Sequence, residues 1–330
     1  MKIAVIFNTC GISGRENYIN YISSIESFLN QNFLDFRVIV SSCFNSLFVR
    51  KTLMKHFGNR ISYNFIDHML PVNITFNKTA QVVTEAWKDI DTYLYVDSGI
   101  NLQTDLNGLD KLYSLHKSGP FGMTCSRIDC DPGYWLWFGE NIDGWSPYKN
   151  PSPQEDYECS KKMFENGNFI IPIGKTVNLH FQLFDNFIYK NFNKKIMPDI
   201  FASHSTEGTF TFLNACLNKK FIICKDVIAQ HFTSMDGGSS GFRPEFENIP
   251  GYQHTIKFSN RKIMEIVDSI EALTCGFGYE ECQKILMHDS NKFNKEGFSI
   301  CPDLLKKFML NFYLTKDEFD YSKINNLFII

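Results

Sequence analysis

The chain has 330 residues, a formal net charge of −3 and a hydrophobic fraction of 44%. That length and apolar content support one large α/β domain, or a catalytic domain carrying an appendage. The charge balance gives no global attraction to nucleic acid or anionic lipid, and the basic runs are only pairs, such as Lys194-Lys195 and Lys219-Lys220, so nucleic acid is not an expected partner.

In chain order, Ile3 to Phe7 reads as a first buried strand followed by the loop Asn8-Thr9-Cys10-Gly11. From Arg15 to Gln31 a helix is predicted, with Tyr18, Ile22, Ile25 and Leu29 on one stripe and Ile19 and Phe28 beside it. Phe36 to Val40 reads as a second strand, ending in Ser41-Ser42. A short helical stretch to about Phe57, a third strand at Ile61 to Ile66 and a helix at Thr75 to Lys88 follow. Then comes TYLYVDSG, an apolar strand running straight into Asp97, Ser98 and Gly99. This rhythm is that of a mainly parallel, doubly wound sheet, whose ligands collect outside the carboxyl ends of the strands. A capped strand end explains the Asp-Ser-Gly equally well, since both side chains satisfy turn donors.

Beyond Asp97 the pattern changes. Leu109 to His116 reads as a helix, Phe121 to Cys125 as a strand, and Asp131 to Asp143 as an aromatic and glycine-rich stretch. Lys149 to Glu158 reads as a loop, Asn168 to Ile173 as a strand, and Val177, Phe181, Phe184 and Ile188 as one face of a helix. Ser205 or Thr206 caps a predicted helix through Phe210, Leu213 and Leu217, with Glu207 in its first turn. Strands at Phe221 to Cys224 and Val227 to Gln230 lead to His231 and then to a Gly/Ser-rich loop containing Arg243. Residues 251–330 read as a helical appendage with no visible chemistry, marked by Ile263, Ile266 and Ile270 and by Leu304, Leu305, Phe308 and Leu310.

The opening MKIAVIFN is too short in apolar residues for a signal-peptide core, and no window reaches the roughly 18 uncharged apolar residues of a membrane span. Peripheral membrane contact stays open. Ten cysteines without a CxxC pair or zinc-ligand spacing read as reduced, mostly buried thiols in a cytoplasmic protein, so the sequons at Asn73 and Asn77 are not expected to carry glycans.

Taken together, three stretches resemble a family-2-type glycosyltransferase of the GT-A fold: IAVIFNTCGISGRENYINYISSIESFLNQ, FNKTAQVVTEAWKDIDTYLYVDSG and AQHFTSMDGGSSGF. They occur in the family's order and cover roughly residues 1 to 240. The resemblance implies a catalytic domain over residues 1–250, with a donor half (1–125) and an acceptor half (126–250). It implies a nucleotide-diphosphate sugar donor, a glycan or lipid-linked acceptor, and a divalent cation such as Mn²⁺ or Mg²⁺. Asn8, Thr9, Ser41, Asn77, Asp97, Ser98 and Arg243 are the expected donor contacts. Three departures stand out: Ser41-Ser42-Cys43 replaces an Asp-rich turn, Asp97-Ser98-Gly99 lacks the second acid of the family's Asp-x-Asp, and Glu207-Gly208 keeps one acid of a pair.

The chemistry of the residues runs parallel. Asp97 offers a hard oxygen and His231 a neutral imidazole, a suitable pair for Mn²⁺ or a similar ion whose shell phosphate completes. Glu207 is the candidate general base, with Asp199 as the alternative acid. Transfer in one step inverts the sugar centre through an oxocarbenium-like state. An inactive sugar-nucleotide binder is the competing expectation, and a nucleotidyltransferase, for which no glycine-rich phosphate loop is present, is the remoter one.

Overall fold

The computed structural model describes residues 2–10, 15–43, 45–67, 70, 72–102, 105–131, 162, 164–171, 181–191, 194–197, 214, 217 and 219–232 of the chain. Its elements are β1 (Ile3–Cys10), α1 (Arg15–Leu29), β2 (Phe36–Cys43), α2 (Leu47–Phe57), β3 (Ser62–Ile66), α3 (Val72–Ala86), β4 (Thr92–Asp97), β5 (Ile100–Asn101), α4 (Gly108–Lys117), β6 (Phe121–Asp131), β7 (Phe169–Ile170), β8 (Phe181–Asp185), α5 (Asn186–Asn191) and β9 (Lys220–Phe232).

One sheet runs in the order β3-β2-β1-β4-β8-β6-β9-β5, with β7 paired to β9. The first four strands are parallel and joined by helices, the expected doubly wound half. β8 enters antiparallel between β4 and β6, and β9 runs parallel to β6. The sheet as a whole is therefore mixed, parallel in its first half.

Both faces of the sheet are covered, which is why the parallel strands read as continuous apolar runs. On one face Ile3, Val5, Phe7, Val40, Leu94 and Val96 meet α1, α2 and α4. Phe28 of α1 is central there, edge-on to Phe7 at 5.0 Å and to Phe181 at 5.8 Å between ring centroids. Such pairs contribute about 0.5–1.5 kcal/mol beyond area burial. On the other face Phe76 of α3 sits 5.3 Å from Tyr95 and 5.7 Å from Phe184.

Three sequence expectations are corrected. The buried stripe of α1 is Tyr21, Ile25 and Phe28, with Tyr18, Ile22 and Leu29 at its margins. Residues 181–185, expected on a helix, form strand β8, and helix α5 begins only at Asn186. Phe181 and Leu183 face the α1 side while Phe184 faces Phe76, so both sides of β8 are apolar. A strand buried on both faces has no period-2 signature, and the spacing of Val177, Phe181, Phe184 and Ile188 imitates a helical one. The two expected strands around residues 221–230 are one, β9, whose pairing with β6 shifts between Ser126 and Arg127. Lys225 and Asp226, which interrupt the apolar run, are the exposed residues at that irregularity. Glu207, Phe210 and Leu213 of the helix expected there, the aromatic stretch after Asp131 and residues 251–330 lie outside the described residues.

Candidate active site

Three parallel strands deliver polar residues to one edge in register. Asn8 on β1 has Ser41 of β2 as its partner on one side and Asp97 of β4 on the other. Thr9 is paired with Ser42. In a parallel sheet this is the carboxyl edge, where the turns leave room for a ligand.

The β1–β2 part of the edge and the α3 side chains beside it form an uncharged polar layer, while the β3 end carries the Arg50–Asp67 ion pair. Asn45 Nδ2 donates to Thr9 Oγ1 (3.1 Å) and to Ser42 Oγ (2.9 Å). Ser41 Oγ lies 2.7 Å from Thr79 Oγ1, which accepts from Asn64 Nδ2 at 2.9 Å. Asn8 is 5% exposed, and its Oδ1 is buried without a hydrogen-bond partner among the described residues. A buried carbonyl oxygen left unpaired is costly, so a hydrogen-bond donor bound beside Asn8 would relieve that cost. Asn45, Asn64 and Thr79 were not singled out from the sequence. Only the position of Asn45, three residues beyond Ser42, hinted at the layer.

The β4 end is different in charge. Asp97 is partly exposed, and its Oδ1 accepts from the Ser98 N–H at 2.8 Å, the turn role considered for this motif. Gly99 then takes φ +120°, a conformation an L side chain rarely adopts, and the chain reverses into β5. β5 pairs antiparallel with β9 so that Ile100 faces His231 and Asn101 faces Gln230. His231 is also in register with Cys130 of β6. Cross-strand partners stand about 5 Å apart at Cα. His231 is thus brought to within one tight turn of Asp97.

Helix α1 fastens this turn from behind. Asn101 Nδ2 donates to Ser23 Oγ (3.1 Å), the Leu102 N–H donates to Ser27 Oγ (3.0 Å), and Gln31 bridges the Asp105 carbonyl (2.9 Å) and the Leu109 N–H (3.0 Å).

Asn77 has its amide directed elsewhere. Oδ1 accepts from the Ile196 and Met197 N–H groups, both at 3.0 Å, and Nδ2 donates to the Met197 carbonyl at 2.6 Å. It anchors the segment that leads to Asp199. Asp199, Glu207 and Arg243 lie outside the described residues. Among the described residues no three His, Cys, Asp or Glu side chains form a metal-binding group.

No family model and no curated protein matches this chain by sequence. By structure it is similar to S. aureus TarS, with a TM-score of 0.50 at 14% identity, covering 94% of this chain and 48% of that one. It is also similar to GalNAc-T7 crystallised with UDP, GalNAc and Mn²⁺, with a TM-score of 0.53 at 11% identity, covering 87% of this chain and 57% of that one. The chain spans about half the length of these matched structures. At such identities the likeness establishes the fold, and that fold is of the GT-A glycosyltransferase type.

Proposed function

We infer that this chain is a glycosyltransferase that moves a sugar from a nucleotide-diphosphate donor to an acceptor hydroxyl on a glycan or lipid-linked molecule. The observation that carries this reading is the Asn8–Asp97 register together with the turn that brings Asp97 toward His231. The UDP and Mn²⁺ held by the structurally similar GalNAc-T7 support a donor and cation of the same kind here.

The polar layer of Asn8, Thr9, Ser41, Ser42 and Asn45 is neutral, which suits the base and ribose end of a donor. The diphosphate then lies toward Asp97, Ser98 and, from its loop, Arg243. Asp97 and His231 are the residues that would hold Mn²⁺ or Mg²⁺, with phosphate oxygens completing the shell. A cation bound there supplies compensation for the charge on the departing diphosphate. Glu207, or Asp199 in its place, takes the proton from the acceptor hydroxyl as the sugar centre inverts. Gly99 in place of a second acid is the one observation that favours the competing reading, a sugar-nucleotide binder without turnover.

The test is release of nucleoside diphosphate from a panel of UDP- and GDP-sugars, with and without Mn²⁺, alongside thermal-shift measurements on the same panel. Cation-dependent release from one donor supports transfer. A donor-induced rise in melting temperature without release selects the binder, and no response to any donor rejects both.

A further inference from the structure

Helix α2 is apolar on two opposite sides. Val49, Leu53 and Phe57 form the stripe buried against the sheet. A surface helix of a globular domain normally carries one such stripe and a polar outer face. Here the outer face has Leu47 at 65% exposure, Phe48 at 73% and Met54 at 49%. At 100° per residue, Met54, Leu47, Lys51, Lys55 and Phe48 fall within about 120° of arc, opposite the buried stripe.

Charge on this helix has a single sign. It contains Arg50, Lys51, Lys55 and His56 and no Asp or Glu. Among the described residues, the acids that approach it are already paired: Asp67 with Arg50, and Glu26 with Arg60 and His56. Lys51 and Lys55 are exposed among the apolar side chains. Large apolar groups interleaved with lysines on one helical face, without acids, fit the headgroup boundary of an anionic bilayer. A protein partner would need carboxylates spaced to meet two lysines, whereas a lipid surface meets them at any spacing.

The helix also has a defined position. Ser46 caps it, with Oγ accepting from the Val49 N–H at 3.3 Å, directly after β2 leaves the sheet. Leu47 and Phe48 therefore lie at the same sheet edge as Asn8, Ser41 and Asp97. We propose that the outer face of α2 docks this protein on anionic lipid membranes, with Leu47 and Phe48 entering the interface and Lys51 and Lys55 meeting the headgroups. A bilayer held there lies beside the candidate active site, where a lipid-linked acceptor would be presented. The docking itself does not depend on the glycosyltransferase reading.

The experiment is co-sedimentation of the full chain with phosphatidylcholine vesicles, with and without a substantial fraction of phosphatidylglycerol. Binding is expected to the anionic vesicles only, weakening as salt rises and the screening length falls from about 10 Å at 0.1 M to about 3 Å at 1 M. Lys51→Gln with Lys55→Gln is expected to weaken binding about 25-fold, at about fivefold per lysine. Leu47→Ser with Phe48→Ser is expected to weaken it by about tenfold or more, with the melting temperature unchanged because both side chains are exposed. Sugar-nucleotide binding in solution stays at the wild-type level in every variant, so failure here is distinguishable from failure of the proposed enzymatic function. Absence of vesicle binding, equal binding to neutral vesicles, or binding that survives both double substitutions overturns the proposal. So does loss, in the same variants, of a concentration-dependent dimer in place of vesicle binding, which identifies a second copy as the occupant.

Discussion

Replacing Asn77 by Ala separates two roles for that residue. Its amide is buried and meets three backbone groups, the N–H groups of Ile196 and Met197 and the carbonyl of Met197, in a segment that is itself buried. Alanine removes every one of these partners at once. A buried backbone group left unpaired costs about 1–3 kcal/mol, and water entry or local relaxation recovers part of the sum. The expected net loss is about 3 kcal/mol, which at about 2–4 °C per kcal/mol lowers the melting temperature by about 6–12 °C. Asn77→Asp is expected to be no milder, because it keeps the acceptor but aims a second oxygen at the Met197 carbonyl. The assay is a thermal melt and a denaturant titration of each variant, followed by donor affinity well below the melt. Wild-type stability combined with a tenfold loss of donor affinity would refute this reasoning and return Asn77 to the donor-contact role expected from the sequence.

Asp97→Asn is expected to abolish Mn²⁺-dependent donor turnover while the melting curve stays in place; full activity, or activity indifferent to a chelator, counts against the metal role. Glu207→Gln should lower transfer to acceptor by about 10²–10⁴-fold with donor affinity nearly unchanged, and if Asp199→Asn alone stops transfer, the base is Asp199. Acid sensitivity follows from the buried pair at the far end of the sheet, where His116 donates or accepts at Thr124 Oγ1 (2.9 Å) and stands 3.6 Å from Asp185. Burial, opposed by Asp185, lowers the His116 pKa below its usual 6.5, so its contribution to stability is complete above that pH and is lost as the pH falls below it. Burial pushes Asp185 upward, but His116, the Phe187 N–H and Lys117 outweigh it and hold the group at about 2, so its contribution is complete above 3.8 and is lost on further acidification toward 2. At 3.6 Å the contact is longer than a hydrogen bond, and the charge of Lys117, 3.5 Å from Asp185, is the firmer part of that stabilisation. Urea midpoints measured from pH 8 to pH 4 should decline below about 6.5, and His116→Gln should flatten the upper part of that decline; an unchanged slope in the variant excludes the histidine as the source.

The parallel half of the sheet was legible because its physics is local. β1, β2 and β4 are apolar runs that end in Asn8, Ser41 and Asp97, and a parallel sheet aligns such endings without further information. Residues 181–185 were misread because a strand buried on both faces has lost the alternation that identifies it. The approach of His231 to Asp97 was expected from chemistry alone, since its structural cause is a two-residue pairing of β5 with β9 that no periodicity reveals. The neutral layer of Asn45, Asn64 and Thr79 left little trace in the sequence because short polar side chains on strand ends and helix faces look like ordinary surface. Glu207, Asp199 and Arg243 remain assignments from the sequence.

The insertion of β8 between β4 and β6 governs how the protein can emerge from the ribosome. The four parallel strands and their helices involve neighbouring segments and can assemble early. Once they do, β4 is an open edge of six residues, five of whose side chains are destined for burial. Its partner, Phe181–Asp185, follows about 80 residues later, an interval of roughly 4–16 s at ordinary synthesis rates. During that time the nascent chain displays an apolar, unprotected ladder, the kind of edge that pairs with strangers. The gap between β4 and β8 is therefore the interval in which an exposed edge is expected during biosynthesis, and a chaperone or a transient cover over Tyr93 to Val96 would act there.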